Sequence, residues 1–248
     1  MSLEACRHFL LFAELKRAEV PSFDIYPFCL PAVRSMERLE LHPSVTFLVG
    51  ENGTGKSTLL EAIAVAWGFN AEGGSKNFSF ATRPSHSELF RFLRLARGFR
   101  KPKDGFFLRA ESFFNVASQV EALGVSGYGR ASLHEQSHGE SFWALFMERF
   151  RGNGLYILDE PEAALSPSRQ MAALIRIHQL VQAESQLVIA THSPILMAYP
   201  NALILQLSEN GVHPVHYEET EHFKLSKQFF DDPKRMLARL LREEPGGV

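Results

Sequence analysis

Val45-Thr46-Phe47-Leu48-Val49-Gly50-Glu51-Asn52-Gly53-Thr54-Gly55-Lys56-Ser57 is a short apolar run that breaks into a glycine-rich loop and ends on Lys-Ser. The apolar run reads as a buried strand. From Ser57 to Trp67, the residues Leu60, Ile63, Ala64 and Trp67 fall along one stripe, which reads as a helix. Between them, residues 50–57 fit G-x-x-x-x-G-K-[ST] without mismatch, in the strand–loop–helix order that the pattern requires. Glycines let successive backbone N–H groups turn inward around phosphate oxygens at a helix N-terminus. The loop of Gly50, Glu51, Asn52, Gly53, Thr54 and Gly55, with Lys56, Ser57 and Thr58 opening the helix, is therefore expected to cradle a nucleotide's phosphates. Lys56 would reach the β- and γ-phosphates, and the Ser57 hydroxyl would ligate Mg2+.

Working outward, three further apolar segments read as buried strands: Phe106 to Ala110, Leu155 to Leu158 and Leu187 to Ala190. A helical pattern from Pro167 to Val181 carries Leu174, Ile177, His178 and Val181 on one stripe. Strands alternating with helices imply an α/β fold, a mostly parallel sheet covered by helices on both faces. Ala202 to Leu207 and Val212 to Tyr217 flank Asn210-Gly211, a hairpin signal. After them Asp232 and Pro233 open a last helix with Leu237, Leu240 and Leu241 expected inward. No repeat or low-complexity linker divides the 248 residues, so 1–248 is read as a single domain, with a small helical, partner-facing subdomain over 71–141.

Composition limits the function classes. With 45% hydrophobic and 22% charged residues the chain reads as globular, and a net charge of −2 gives no global attraction to nucleic acid or membrane. The longest apolar runs, such as Ala62 to Phe69, fall well short of the roughly 18 residues of a membrane span, so an integral membrane protein is not expected. Cys6 and Cys29 stand in contexts that suggest no disulfide framework, and a reducing, cytoplasmic location is the expectation.

Two further stretches complete a site around the loop. Leu155-Tyr156-Ile157-Leu158 runs into Asp159-Glu160, placing Asp159 to hold Mg2+ and Glu160 to polarise a water for in-line attack on a γ-phosphate. The Leu187 strand delivers Thr191-His192-Ser193-Pro194, putting an imidazole where the sheet ends.

The order of these motifs resembles that of P-loop ATPases of the ATP-binding-cassette (ABC) type. The phosphate loop at Gly50 to Ser57, Asp159-Glu160 and the His switch at His192 all match. More narrowly, the chain is similar to compact bacterial AAA-family ATPases that resemble the heads of chromosome-maintenance and repair ATPases. The resemblance implies ATP and Mg2+ as ligands, hydrolysis of ATP, a homodimer formed around two nucleotides, and antiparallel strands at both ends of the fold. It also implies a signature segment before the acidic strand that caps the γ-phosphate bound by the opposite subunit. The matching positions are Ser137, Gly139 and Glu140, with His138 where the family has glycine, followed by a helix from Ser141 to about Phe150. After the acidic pair, Ser166 stands where the family often has aspartate, and Glu111 or Gln119 would fill the lid-loop position.

A competing reading comes from His134-Glu135-Gln136-Ser137-His138, which matches the H-E-x-x-H of zinc peptidases. That motif needs a helix through both histidines, whereas Gly124, Gly127, Gly129 and Gly139 surround this one. Between Arg83 and Arg109, eight residues are basic and two acidic, and Leu89, Phe92, Leu93 and Ala96 are expected to form a helical stripe that leaves Arg91, Arg94 and Arg97 toward solvent. DNA or an unidentified protein would be the partner of such a patch. The nucleotide-binding subunit of a membrane transporter is the alternative output for the same ATPase motifs.

Overall fold

The computed structural model describes residues 8–74, 87–109 and 143–241. The strands among these are β1 (Leu10–Leu15), β2 (Arg38–Glu40), β3 (Val45–Val49), β4 (Leu93–Arg97), β5 (Asp104–Arg109), β6 (Gly154–Asp159), β7 (Gln186–Ala190), β8 (Leu203–Ser208) and β9 (Gly211–Val215). The helices are α1 (Pro31–Arg34), α2 (Lys56–Trp67), α3 (Pro167–Gln182), α4 (Pro194–Met197), α5 (Glu221–Asp231) and α6 (Pro233–Leu240).

The main sheet has the order β5-β6-β7-β3-β8-β9 and is parallel except for the β8–β9 hairpin. All five residues of β3 are buried, as are those of β7, because both faces of the sheet are covered. Their side chains alternate between two cores. Leu48 faces a cluster with Leu60, Ile63 and Trp67 of α2, while Phe47 and Val49 face one with Ile177 and Leu180 of α3.

A second, antiparallel sheet, β2-β1-β4, lies over the α2 side. It explains why α2 is buried around most of its circumference rather than along one stripe: Leu59, Ala62 and Glu61 are buried together with the expected Leu60, Ile63, Ala64 and Trp67. Gln186, fully buried in β7, ties this sheet to the main one. Its Oε1 accepts from the backbone N–H of Phe9 (3.0 Å) and Leu10 (2.9 Å), and its Nε2 donates to the carbonyls of Leu10 (2.7 Å) and His42 (3.0 Å). Every polar atom of that amide is thereby used.

Three local expectations are corrected. The apolar residues Leu89, Phe92, Leu93 and Ala96 do not form a helical stripe: residues 88–92 make a short 3-10 turn and 93–97 are β4, paired antiparallel with β1. Leu93 and Leu95 alternate with Arg94 and Ala96, so pairing with β1 overrides a helical spacing that arose by coincidence. The last helix does start at Pro233 with Asp232 as its cap, but Leu237, Leu240 and Leu241 are exposed rather than inward. Third, the stripe on α3 is rotated: Ala173, Ile177 and Leu180 are buried, while His178 is exposed and meets the Tyr199 hydroxyl at 3.2 Å. No helix among the described residues is long and apolar enough to cross a membrane.

Candidate nucleotide site

The parallel strands all end at one edge of the sheet, and the register brings their last residues level. Leu48 pairs with Ala190, Ala190 with Asp159, and Asp159 with Arg109. The residues that follow are therefore neighbours: the glycine loop after β3, Glu160 after β6 and His192 after β7. Such an edge is where open α/β sheets present ligand-binding groups.

Glycine is required in the loop for stated reasons. Gly50 has φ of 147°, and a Cβ there would stand 2.3 Å from the Leu207 carbonyl oxygen of β8. Gly55 has φ of 99° and hands the chain directly into α2. Lys56 is buried at 4% exposure, and its Nζ donates to the carbonyls of Gly50 and Glu51, both at 2.8 Å, so the ammonium sits inside the curl of its own loop. Burial holds its pKa below the usual lysine value, against the opposing pull of Glu160, Asp159 and Glu162.

The Ser57 hydroxyl donates to Asp159 Oδ1 at 3.0 Å. Two cis ligands of an octahedral Mg2+, each about 2.0–2.1 Å from the ion, stand about 2.9 Å apart, so this pair of hard oxygen donors fits that ion. Asp159 is itself buried and lies 3.8 Å from the Arg109 guanidinium, which also pairs with Glu61 of α2 at 2.7 Å. Arg109 thus links the helix that carries Ser57 to the strand that carries Asp159.

Glu160 occupies the left-handed region, with φ of 49°. A non-glycine residue in that conformation stores local strain, of order 1 kcal/mol or more, and it turns this carboxylate out of the strand direction. Its Oε1 is 3.8 Å from His192 Nε2, and its side chain keeps 41% exposure, open to water. The His192 backbone N–H donates to Glu162, whose carboxyl is pushed above the ordinary range by burial. Burial first, and the Lys56 charge second, hold the His192 imidazole below the usual histidine pKa.

Several sequence-predicted residues meet here: Gly50, Gly53, Gly55, Lys56, Ser57, Asp159, Glu160 and His192. Ser137, Gly139 and Glu140, the His134–His138 motif and the lid-loop positions Glu111 and Gln119 lie outside the described residues. The segment after them is helical from Trp143, with a π-helical turn over Leu145–Arg149. Among the described residues no group of three His, Cys, Asp or Glu side chains is arranged to hold a metal ion. Sequence reasoning missed Glu61, Glu162 and His222. Glu61 had a legible signal, being the one polar residue between Leu59 and Trp67 of its helix.

The basic segment is largely committed to partners. Arg91 pairs with Glu88 at 3.0 Å, Arg94 with Glu14 at 2.5 Å and Arg100 with Glu184 at 2.7 Å, while Arg97 lies 4.5 Å over the Trp67 ring. Lys101 and Lys103 carry no ion pair among the described residues, and between Arg97 and Lys101 the Phe99 ring is 87% exposed.

Two family models match stretches that include the loop and the acidic strand. A family model described as "AAA domain" matches residues 29–105, and one described as "AAA domain, putative AbiEii toxin, Type IV TA system" matches residues 94–198. Each model matches less than half of the chain, and in these stretches the chain is similar to AAA domains, with the strand–loop–helix order of a P-loop fold. Among solved structures it is similar to cbiO1 from Clostridium perfringens, described as part of the ABC transporter complex cbiONQ, at 17% identity and a TM-score of 0.44, covering 83% of this chain and 91% of that one. It is also similar to the SMC head domain from Thermotoga maritima, at 16% identity and a TM-score of 0.44, covering 84% and 99%. No curated protein sequence matches the chain.

Proposed function

We propose that this chain binds ATP with Mg2+ and hydrolyses it, and that nucleotide-dependent pairing of two copies is its output. The observation that carries the reading is the convergence at one sheet edge of Lys56, the Ser57–Asp159 pair and the Glu160–His192 pair. Lys56 binds the β- and γ-phosphates, exchanging its loop carbonyls for charged acceptors. Ser57 and Asp159 hold Mg2+, which supplies charge neutralisation to the phosphates. Glu160 accepts a proton from water as the water oxygen bonds to the γ-phosphorus and the bond to the ADP oxygen breaks. His192 donates to the γ-phosphate from Nε2, the nitrogen that faces Glu160. Phosphate release by the purified protein tests this directly, and a preparation that binds no ATP would overturn it.

In the same reading, Ser137, Gly139 and Glu140 of one copy contact the phosphate held by Lys56 of the other, so ATP stabilises only the closed pair. Sedimentation of Glu160→Gln with ATP should show a dimer, and with ADP a monomer. A monomer under both conditions, at concentrations well above micromolar, would remove the composite site.

A nucleic-acid output has one observation in its favour, the exposed Phe99 beside the unpaired Lys101 and Lys103. Cations that track a backbone and a ring on which bases stack are the usual means of holding single strands. A fluorescent oligothymidine should bind at low salt with a log–log salt slope of about −0.7 per neutralised phosphate, and replacing Phe99 with Ala and both lysines with Glu should weaken binding at least about tenfold. If the parent protein fails to bind it with or without ATP, this output is excluded.

A further inference from the structure

His222, the second residue of α5, lies beside the switch histidine. Its Nε2 is 3.1 Å from His192 Nδ1, with the ring centroids 5.3 Å apart. The approach is built by the chain on both sides. Thr220 is fully buried and caps α5, its hydroxyl accepting from the Phe223 N–H and donating to the Tyr217 carbonyl. Tyr217 packs its ring on Phe223 and donates its hydroxyl to the Pro194 carbonyl at 2.9 Å, two residues after His192. The segment 217–223 is thus clamped to the loop that carries the imidazole.

An N···N contact of 3.1 Å between two imidazoles is a hydrogen bond only if one ring donates and the other accepts. Two assignments exist. If His192 Nδ1 carried the proton, its Nε2 would present a bare lone pair to the Glu160 carboxylate 3.8 Å away and could not donate to a phosphate. His222 would then carry its own proton on Nδ1, a buried atom with no hydrogen-bond partner among the described residues. If His222 Nε2 donates instead, His192 keeps its proton on Nε2, toward Glu160, and His222 Nδ1 is a bare acceptor. His192 Nε2 is likewise buried without a hydrogen-bond partner among the described residues, so each assignment leaves one N–H unmatched; the second places that N–H 3.8 Å from the Glu160 carboxylate, which attracts it, where the first would set a lone pair against the same anion. Burial first, and the Lys56 charge second, hold the His222 imidazole below its usual pKa as well, which favours the neutral form of both rings and with it the single proton that an N–H···N contact accommodates.

We propose that His222 is a positioning residue that donates from Nε2 to His192 Nδ1 and so fixes the proton of His192 on Nε2, the atom that meets the γ-phosphate. The inference rests on the ATPase reading for its consequence but not for its first test, because the tautomer exists without nucleotide. In two-bond 1H–15N spectra of histidine-labelled protein, His192 should be the Nε2–H tautomer in the parent chain and a mixture in His222→Phe. Phosphate release should then fall about tenfold or more in kcat with KM for ATP little changed, the scale seen when the partner that orients a functional imidazole is removed. A glutamine can place an amide N–H near the position of imidazole Nε2, so His222→Gln should restore the Nε2–H tautomer and recover most of the lost kcat. Thermal melting of both variants separates this from a loss of fold, which would lower both alike. An Nδ1–H tautomer in the parent would overturn the proposal, as would a tautomer and kcat unaltered in a folded His222→Phe. A parent that releases no phosphate, with His192 nonetheless held as Nε2–H by His222, would leave the positioning contact standing and remove the ATPase reading instead.

Discussion

Glu160→Gln is expected to bind ATP about as well as the parent chain and to release phosphate at least about a hundredfold more slowly, the lower part of the range for removal of a general base. The substitution leaves the binding parts in place. Lys56 still sits within reach of the loop it closes, and Ser57 still meets Asp159 at 3.0 Å, neither contact passing through the Glu160 side chain. Nor should the fold suffer. The side chain is 41% exposed, and an amide of the same length accepts the same left-handed backbone at φ of 49° at similar cost. What is lost is the anion that receives a proton, because an amide oxygen is too weak a base to take one from water at neutral pH. Calorimetric titration with ATP, set beside a phosphate-release assay, checks both halves. Hydrolysis at the parental rate would show that the base is another group. Lost ATP binding would show that the Glu160 charge, 3.8 Å from His192 and attractive to Lys56, is chiefly a binding determinant.

The parts of this fold that are regular at short range were legible in the sequence. β3 is Val45–Val49, as the apolar run implied, β6 extends the expected strand by one residue at each end and β7 by one at its start, because a strand buried on both faces needs an unbroken apolar run. The glycine loop and its Lys-Ser were legible because a phosphate cradle demands fixed spacing. The antiparallel sheet was far less so. β2 has three residues, with Leu39 buried between exposed Arg38 and Glu40, and β4 carries a spacing that suits a helix as well as a strand. Their structure comes from pairing with β1, across 78 to 87 residues in the case of β4, which no local window contains. The contacts that tune the site were hidden for the same reason. Glu61 with Arg109, and His192 with His222, are 48 and 30 residues apart. The basic segment shows the converse: its charge excess was real in the sequence, but the acids that neutralise Arg94 and Arg100, Glu14 and Glu184, are supplied from elsewhere in the chain.

Lys56→Ala should lose most ATP affinity, and the structure indicates how much. The ammonium is preorganised: buried among the loop and facing Asp159, Glu160 and Glu162, it has already lost most of its hydration, so exchanging two carbonyl acceptors for two phosphate oxygens involves little further desolvation. Hydrogen bonds to charged groups contribute about 1.5–3 kcal/mol each, so two such contacts correspond to a loss of at least about a hundredfold in Kd. The effect on stability runs through opposing terms. Removing the cation leaves the carbonyls of Gly50 and Glu51 without their donor and three carboxylates without a shared counter-charge, while it relieves the burial of a charge. Melting without nucleotide should therefore shift little compared with the loss of the ATP-induced rise in Tm, which follows ligand affinity directly. Calorimetry gives Kd, and melting with and without MgATP gives the rise. An undiminished rise in Lys56→Ala would mean that the backbone N–H groups of the loop and the Ser57–Asp159 pair hold the phosphates unaided, and that Lys56 serves only to close its own loop.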